Sequence, residues 1–274
     1  MSRRAVPIAL TVAGSDPSGG AGLQADLKTF HQHGVYGGAV VTLLTVQTTE
    51  RVSRVHVLEG DLVREQLVAV LADLQPVAIK TGALGSAEIV RALAPVFLGE
   101  ATRERGAPVV IDPVMISKHG HALLDGDAID ACVEELFPLA ALLTPNVPEA
   151  ERLLSYPAPV RITSIEDAEE AALTLARRFG VPVLVKGGHL EGDSVDVLAL
   201  GGVIRRYAAP RIDTKHMHGT GCTYSAAITA RLARGEPLPV AIERAKRWLT
   251  RAIASGPDVG RGIGPVDHLA PLED

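Results

Sequence analysis

Three short stretches of this chain carry residue types suited to group transfer. The first is His218-Gly219-Thr220-Gly221-Cys222-Thr223, just before an apolar segment with helical spacing. Consecutive backbone N–H groups from Gly219, Thr220 and Gly221 at a helix start suit an anion. Cys222 would lie in the positive field of that terminus, which draws a thiol pKa down from about 8.5 toward neutrality. Such a thiolate removes a proton from a hydroxyl group. The same cysteine equally suits a small buried place in a first helical turn. The second stretch is the glycine-rich run from Ala13 to Gly22, which contains Gly14, Asp16, Gly19 and Gly20. Its glycines let a ligand approach the backbone, or simply form a tight turn with a helix cap. It is neither a Walker A sequence nor a dinucleotide fingerprint. The third is Thr144-Pro145-Asn146-Val147-Pro148-Glu149, which holds the only asparagine of the chain. Asn146 and Glu149 suit a helix cap, and the same oxygens suit Mg²⁺ held through its waters.

Single polar residues at strand ends extend the pattern. Asp112 follows Val110-Ile111, where a carboxylate orients metal-bound water or caps a turn. Lys186 precedes Gly187-Gly188, which suits a phosphate or a solvated surface charge. Gln47 closes an apolar run; its amide has a donor beside an acceptor and can pair with an aminopyrimidine edge, or merely mark where the strand leaves the sheet.

These residues need a scaffold, and the hydrophobic pattern supplies one. Apolar runs without polar alternation predict buried parallel strands over 7–12, 39–46, 77–80, 108–111, 141–144 and 181–186. Amphipathic segments predict helices over 22–33, 61–73, 86–102, 126–136, 164–179, 223–234 and 239–255. The alternating run 51–58 predicts an edge ribbon or lid, and 194–200 with 203–207 around Gly201-Gly202 a hairpin. Strand–helix alternation predicts a doubly wound α/β fold, mostly parallel, with helices on both faces. Five of the clusters then share one sheet edge, the carboxyl ends of the strands, where such folds bind ligands.

Length and composition set the limits. The 274 residues, 47% hydrophobic and 22% charged, are expected to form one domain over 1–274. A net charge of −5 argues against a general nucleic-acid binder. No apolar run approaches the roughly 18 residues of a membrane span. The basic, then apolar, start resembles a signal peptide, but it runs directly into the glycine-rich loop and reads as a strand. Two cysteines, Cys132 and Cys222, make no disulfide framework, so a cytoplasmic setting is expected.

The motifs together resemble the hydroxymethylpyrimidine/phosphomethylpyrimidine kinases of thiamine biosynthesis, of the ribokinase-like superfamily. The resemblance rests on the Ala13–Asp26 stretch, Lys80-Thr81-Gly82, Asp112-Pro113-Val114-Met115, Thr144-Pro145-Asn146 with Glu149, Lys186-Gly187-Gly188-His189 and the Gly-Thr-Gly-Cys ending. It runs in order from about residue 7 to residue 255, and it implies ATP and Mg²⁺ as cofactors. It also implies Cys222 as base and Gly219, Thr220 and Gly221 as the anion hole. Lys186 and Asn146 would serve the nucleotide, and Asp112 and Glu149 the metal. Gly14, Asp26, Gln47 and the backbone at Val114 would line the pyrimidine pocket, with a small β-flap at 51–58. The substrate would be an aminopyrimidine alcohol and its phosphate, and the expected partner a second copy of the chain. Ala83 departs from the family, where methionine is common; the room it leaves keeps pyridoxine or pyridoxal kinase as an alternative. A non-catalytic vitamin-precursor binder is the alternative of another class. The segment Lys215-His216-Met217-His218 is unusually rich in histidine.

Overall fold

The computed structural model describes residues 6–99, 106–116, 120, 123–124, 126–155 and 158–272. The strands are β1 (Ile8–Ser15), β2 (Tyr36–Gln47), β3 (Val52–Val57), β4 (Ala78–Thr81), β5 (Val109–Ile111), β6 (Leu142–Leu143), β7 (Val183–Val185), β8 (Ser194–Leu200) and β9 (Val203–Ala209). They form one sheet in the order β3-β2-β1-β4-β5-β6-β7-β8-β9. β2, β1, β4, β5, β6 and β7 run parallel, whereas β3, β8 and β9 pair antiparallel at the two ends. This is the expected doubly wound, ribokinase-like α/β architecture. The run 51–58 is the edge strand β3, and Gly201 and Gly202, both at positive φ, turn the β8–β9 hairpin.

The helices are α1 (Gly22–Gln32), α2 (Gly60–Asp73), α3 (Ala87–Leu98), α4 (Gly126–Ala131), α5 (Val147–Leu154), α6 (Ile165–Phe179), α7 (Thr220–Ala233) and α8 (Leu238–Ala254). One core lies between the sheet and α2 through α6, and the other between the sheet and α1, α7 and α8. β5 shows why its sequence lacks polar alternation: Val109 and Ile111 enter the first core, and Val110 the second.

Three boundaries differ from the periodicity. The helix expected over 126–136 becomes a π-helical stretch at Cys132–Leu136. The helix at Val147–Leu154 was not in the periodic pattern, because eight residues are too few to show a period; its cap is the better signal. The helix expected over 223–234 begins at Thr220, three residues earlier, so Cys222 lies inside its first turn. The end of the segment expected to run to 102 lies outside the described residues.

Sheet topology positions the site. From β1 the chain winds outward to β2 and β3, then returns to β4 on the other side of β1. β1 and β4 are therefore the switch point, and a crevice opens beyond their carboxyl ends. A register shift between Ala13 and Ser15 against β2, and another between Val46 and Gln47 against β3, bend the strands at that crevice.

Candidate active site

A cavity of about 620 Å³ fills the crevice. Its wall includes Gly14, Gln47, Val114, Asp112, Asn146, Glu149, Lys186, Gly219, Thr220, Gly221 and Cys222. Eleven of the twelve expected site residues are thus brought together from four strand ends and two helix starts. The exception is Asp26, which corrects the expectation that it lines the pocket. It is fully buried in α1 and lies beneath the floor. Its Oδ2 accepts from Thr11 Oγ1 at 2.6 Å and from Lys80 Nζ at 2.8 Å. Thr11 and Lys80 are directly paired neighbours on β1 and β4, so one carboxylate joins both switch-point strands. Lys80, in turn, lines the cavity. Burial works against its charge, but Asp26, Cys222 and Asp112 push its pKa up to about 12. A lysine inside a short apolar strand was the signal for this residue.

Gly219 shapes the anion nest. Its φ is +74°, and a Cβ there would run into the carbonyl oxygen of Gly20. Only glycine brings the two loops so close. Gly219 accepts from Thr223 N at 2.8 Å, and the N–H groups of the first turn remain at the cavity. The N–H of Gly22, which opens α1, faces the Cys222 thiol and favours its ionised form. Two helix starts therefore meet at this sulfur.

Its pKa nevertheless departs from the expectation. Burial pushes the thiol up to about 11, with Asp26 and Asp112 adding to the rise and Lys80 and the Gly22 N–H opposing it. The helix field is outweighed by loss of water and two nearby carboxylates. Cys132 is buried in the core and is pushed to about 12.

Asp112, Glu149 and Lys186 form a charged corner. Lys186 Nζ lies 2.7 Å from Asp112 Oδ1, and Ser225 Oγ donates to Asp112 Oδ2 at 3.1 Å. Burial resists the Asp112 charge, but Lys186 and Lys80 hold its pKa below the usual range. Asn146 and Glu149 form a full capping box at α5, with bonds of 2.9 and 2.8 Å. Burial raises Glu149 to about 7 despite Lys186. Among the described residues, no group of three or more His, Cys, Asp or Glu could hold a metal directly. The pair of carboxylates fits Mg²⁺, which binds through one or two carboxylates, its own waters and substrate phosphates.

Two residues of the wall had no expected role. Asp16 organises the glycine-rich loop: it accepts from Ser18 N at 2.9 Å, Ser18 Oγ at 2.6 Å and Ala21 N at 2.9 Å. His218 Nε2 lies 2.7 Å from Asp16 Oδ2 and 3.3 Å from the Gln47 amide. The histidine-rich segment thereby gains an account. His218 enters the wall, while His216 packs where Cβ atoms at Gly256 and Gly264 would otherwise lie.

Residues 16–267 match the phosphomethylpyrimidine kinase family. The chain belongs to that family. It is a kinase on a ribokinase-like fold. It is 49% identical to the thiamine biosynthesis bifunctional protein ThiED of Geobacter sulfurreducens, over 97% of this chain and 53% of that protein. The chain thus spans about half the length of that bifunctional relative. It is 43% identical to the hydroxymethylpyrimidine/phosphomethylpyrimidine kinase of Streptomyces coelicolor, over 96% of this chain and 94% of the relative. Among solved structures, an ADP complex of Bacillus subtilis pyridoxal kinase superposes with a TM-score of 0.85 at 35% identity, covering 97% of this chain and 98% of that one. Among the described residues, no helix of this kinase is long and apolar enough to cross a membrane.

Proposed function

We propose that this site transfers the γ-phosphoryl group of ATP to 4-amino-5-hydroxymethyl-2-methylpyrimidine, and then to the resulting monophosphate. The chain is in this reading a hydroxymethylpyrimidine/phosphomethylpyrimidine kinase of thiamine biosynthesis, acting as a single domain. The observation that carries it is one cavity whose wall holds both the Gln47 amide and the Cys222 thiol with its nest of amides.

Gln47 pairs with the ring edge, while Gly14 and the backbone at Val114 flank the ring. Asp26 acts from below through Lys80. Cys222 accepts the CH₂OH proton as the oxygen attacks the γ-phosphorus and ADP leaves. The N–H groups of Gly219, Thr220 and Gly221 hold the charge of the loose transition state. Lys186, poised on Asp112, turns to the nucleotide phosphates beside Asn146. Asp112 and Glu149 would hold Mg²⁺, which would neutralise phosphate charge. Both cysteines are free thiols, which supports a cytoplasmic setting. A homodimer is supported by Leu44 and Val46, exposed apolar residues on β2 beside the edge strand β3.

A second reading has one observation in its favour. Ala83 lines the cavity, and its small side chain leaves room for a pyridine ring such as pyridoxal. ADP release with the pyrimidine alcohol, its monophosphate and pyridoxal separates the two. Both pyrimidines are expected to turn over with the higher kcat/KM; a clear preference for pyridoxal would replace the reading.

A further inference from the structure

The His218 ring stands between Asp16 and Gln47, one residue ahead of the nest that begins at Gly219. The inference here rests on the reading that Gln47 addresses the substrate ring. Asp16 already accepts from Ser18 and Ala21, so it is an ionised acceptor. Burial opposes that charge, but the hydrogen bonds from His218 and Ser18 keep its pKa below the usual value. An imidazole nitrogen 2.7 Å from such an oxygen must carry the hydrogen there. His218 Nε2 is therefore a donor with no lone pair left.

The consequence falls on Gln47. Nε2 of its amide stands 3.3 Å from His218 Nε2, and its Oε1 stands 3.2 Å from Thr45 Oγ1. Two nitrogens that both bear hydrogen do not bond. Turning the amide about its last torsion places Oε1 beside the His218 N–H as its second, weaker acceptor after Asp16, and the NH₂ on the Thr45 hydroxyl. Thr45 Oγ1 donates to Ser15 O at 2.9 Å and so accepts from that NH₂; its hydroxyl can still rotate, whereas the histidine N–H is held by Asp16 and is the fixed side of the choice.

We propose that the Asp16–His218 pair is a specificity device that fixes the order of donor and acceptor which Gln47 shows to the substrate ring. A ring edge with an exocyclic amine beside a ring nitrogen matches one order and opposes the other. His218 is itself held in place. Its backbone N–H donates to Gly264 O at 3.0 Å, and its ring occupies the space where a Cβ at Gly20 would lie. His218 is thus a positioning residue acting through Gln47.

The test compares kcat/KM for the aminopyrimidine alcohol with that for the same alcohol lacking its 4-amino group. This amino preference is measured in wild type, His218→Leu, His218→Gln and Gln47→Leu. His218→Leu is expected to lower the preference by more than about threefold, mainly through KM for the amino substrate. His218→Gln, whose terminal NH₂ can still donate to Asp16, is expected to retain the preference. Should His218→Leu not fold, Asp16→Asn carries the same test, because its NH₂ can turn Nε2 of His218 into an acceptor. A preference unchanged within about threefold in the His218 or Asp16 variant, with Gln47→Leu lowering it, overturns the inference and leaves the Gln47 reading standing. No change in Gln47→Leu overturns both. A loss of general packing lowers both substrates alike and does not move the ratio, which also counts against the proposal.

Discussion

At Cys222, two effects of opposite sign act on one sulfur. The start of α7, the Gly22 N–H and Lys80 favour thiolate, while burial and the carboxylates of Asp26 and Asp112 favour thiol and prevail at about 11. The basic form is then scarce at neutral pH. The alcohol step should therefore accelerate with pH, kcat/KM rising by about tenfold per unit from pH 6 to 9. The second step has a phosphate nucleophile that is already ionised near neutrality. Cys222→Ala is accordingly expected to slow the first phosphorylation by about 100-fold or more, and the second much less. Separate initial rates for the two pyrimidine substrates, across pH, check both statements. Beneath the sulfur, Lys80 and Asp26 are completely buried and 2.8 Å apart. Lys80→Met would leave an unpaired carboxylate there and is expected to cost about 3–5 kcal/mol in urea unfolding.

Helix starts supply most of the chemistry, and each tolerates little change. Gly219→Ala would force a left-handed φ on a residue with a Cβ and press that Cβ on the Gly20 carbonyl. We expect kcat to fall by about 100-fold in both phosphorylation steps, since both transfer a phosphoryl group through the same nest. That equal loss distinguishes the nest from the base. At α5, Glu149→Gln keeps the capping box, because glutamine serves there too. The folded-state pKa of Glu149, about 7, is raised above the ordinary 4.5. Folding therefore favours the protonated form. Stability from that preference is complete below pH 4.5 and is lost as pH rises through 7. Glu149→Gln should match wild type near pH 5 and exceed it by about 2–3 kcal/mol near pH 9 in the absence of nucleotide. Thermal unfolding at the two pH values reads this directly, and weaker Mg²⁺ dependence of turnover should accompany it.

Over the whole molecule, the winding order decides where everything meets. The chain reverses its direction of growth between β1 and β4, and the glycine-rich loop and Lys80 diverge there to open the crevice. At the sheet edge, Leu44 and Val46 are 46% and 58% exposed, which is unusual for apolar residues on a strand. The opposite edge strand β9 is covered by charge, with Arg206 Nε 2.6 Å from Glu169. In the proposed homodimer the β2 face is covered by its counterpart. Light scattering is expected to report twice the chain mass for wild type and one chain mass for a Leu44→Glu, Val46→Glu variant.

Much of this was legible without coordinates, for a definite reason. Buried parallel strands must be apolar on both faces, so their runs stand out, and functional residues collect where those runs stop. The glycine loop, Asp112, Asn146 and Lys186 were visible as such endings, and the Gly-Thr-Gly-Cys stretch as the start of an apolar helix. The chain by itself thus determined the α/β class, the sheet edge that carries the site, and eleven residues of its wall. Tertiary structure alone decided what those groups are to one another. Asp26 looks like a pocket residue in sequence, yet α1 aims it inward at Thr11 and Lys80. Cys222 looks like an activated thiol, yet burial and two carboxylates brought close from far along the chain raise it. Asp16, Gln47 and His218 are up to 202 positions apart and meet only through the fold. Pattern along a chain records which surfaces are buried; burial depth, field and contact depend on three-dimensional distance.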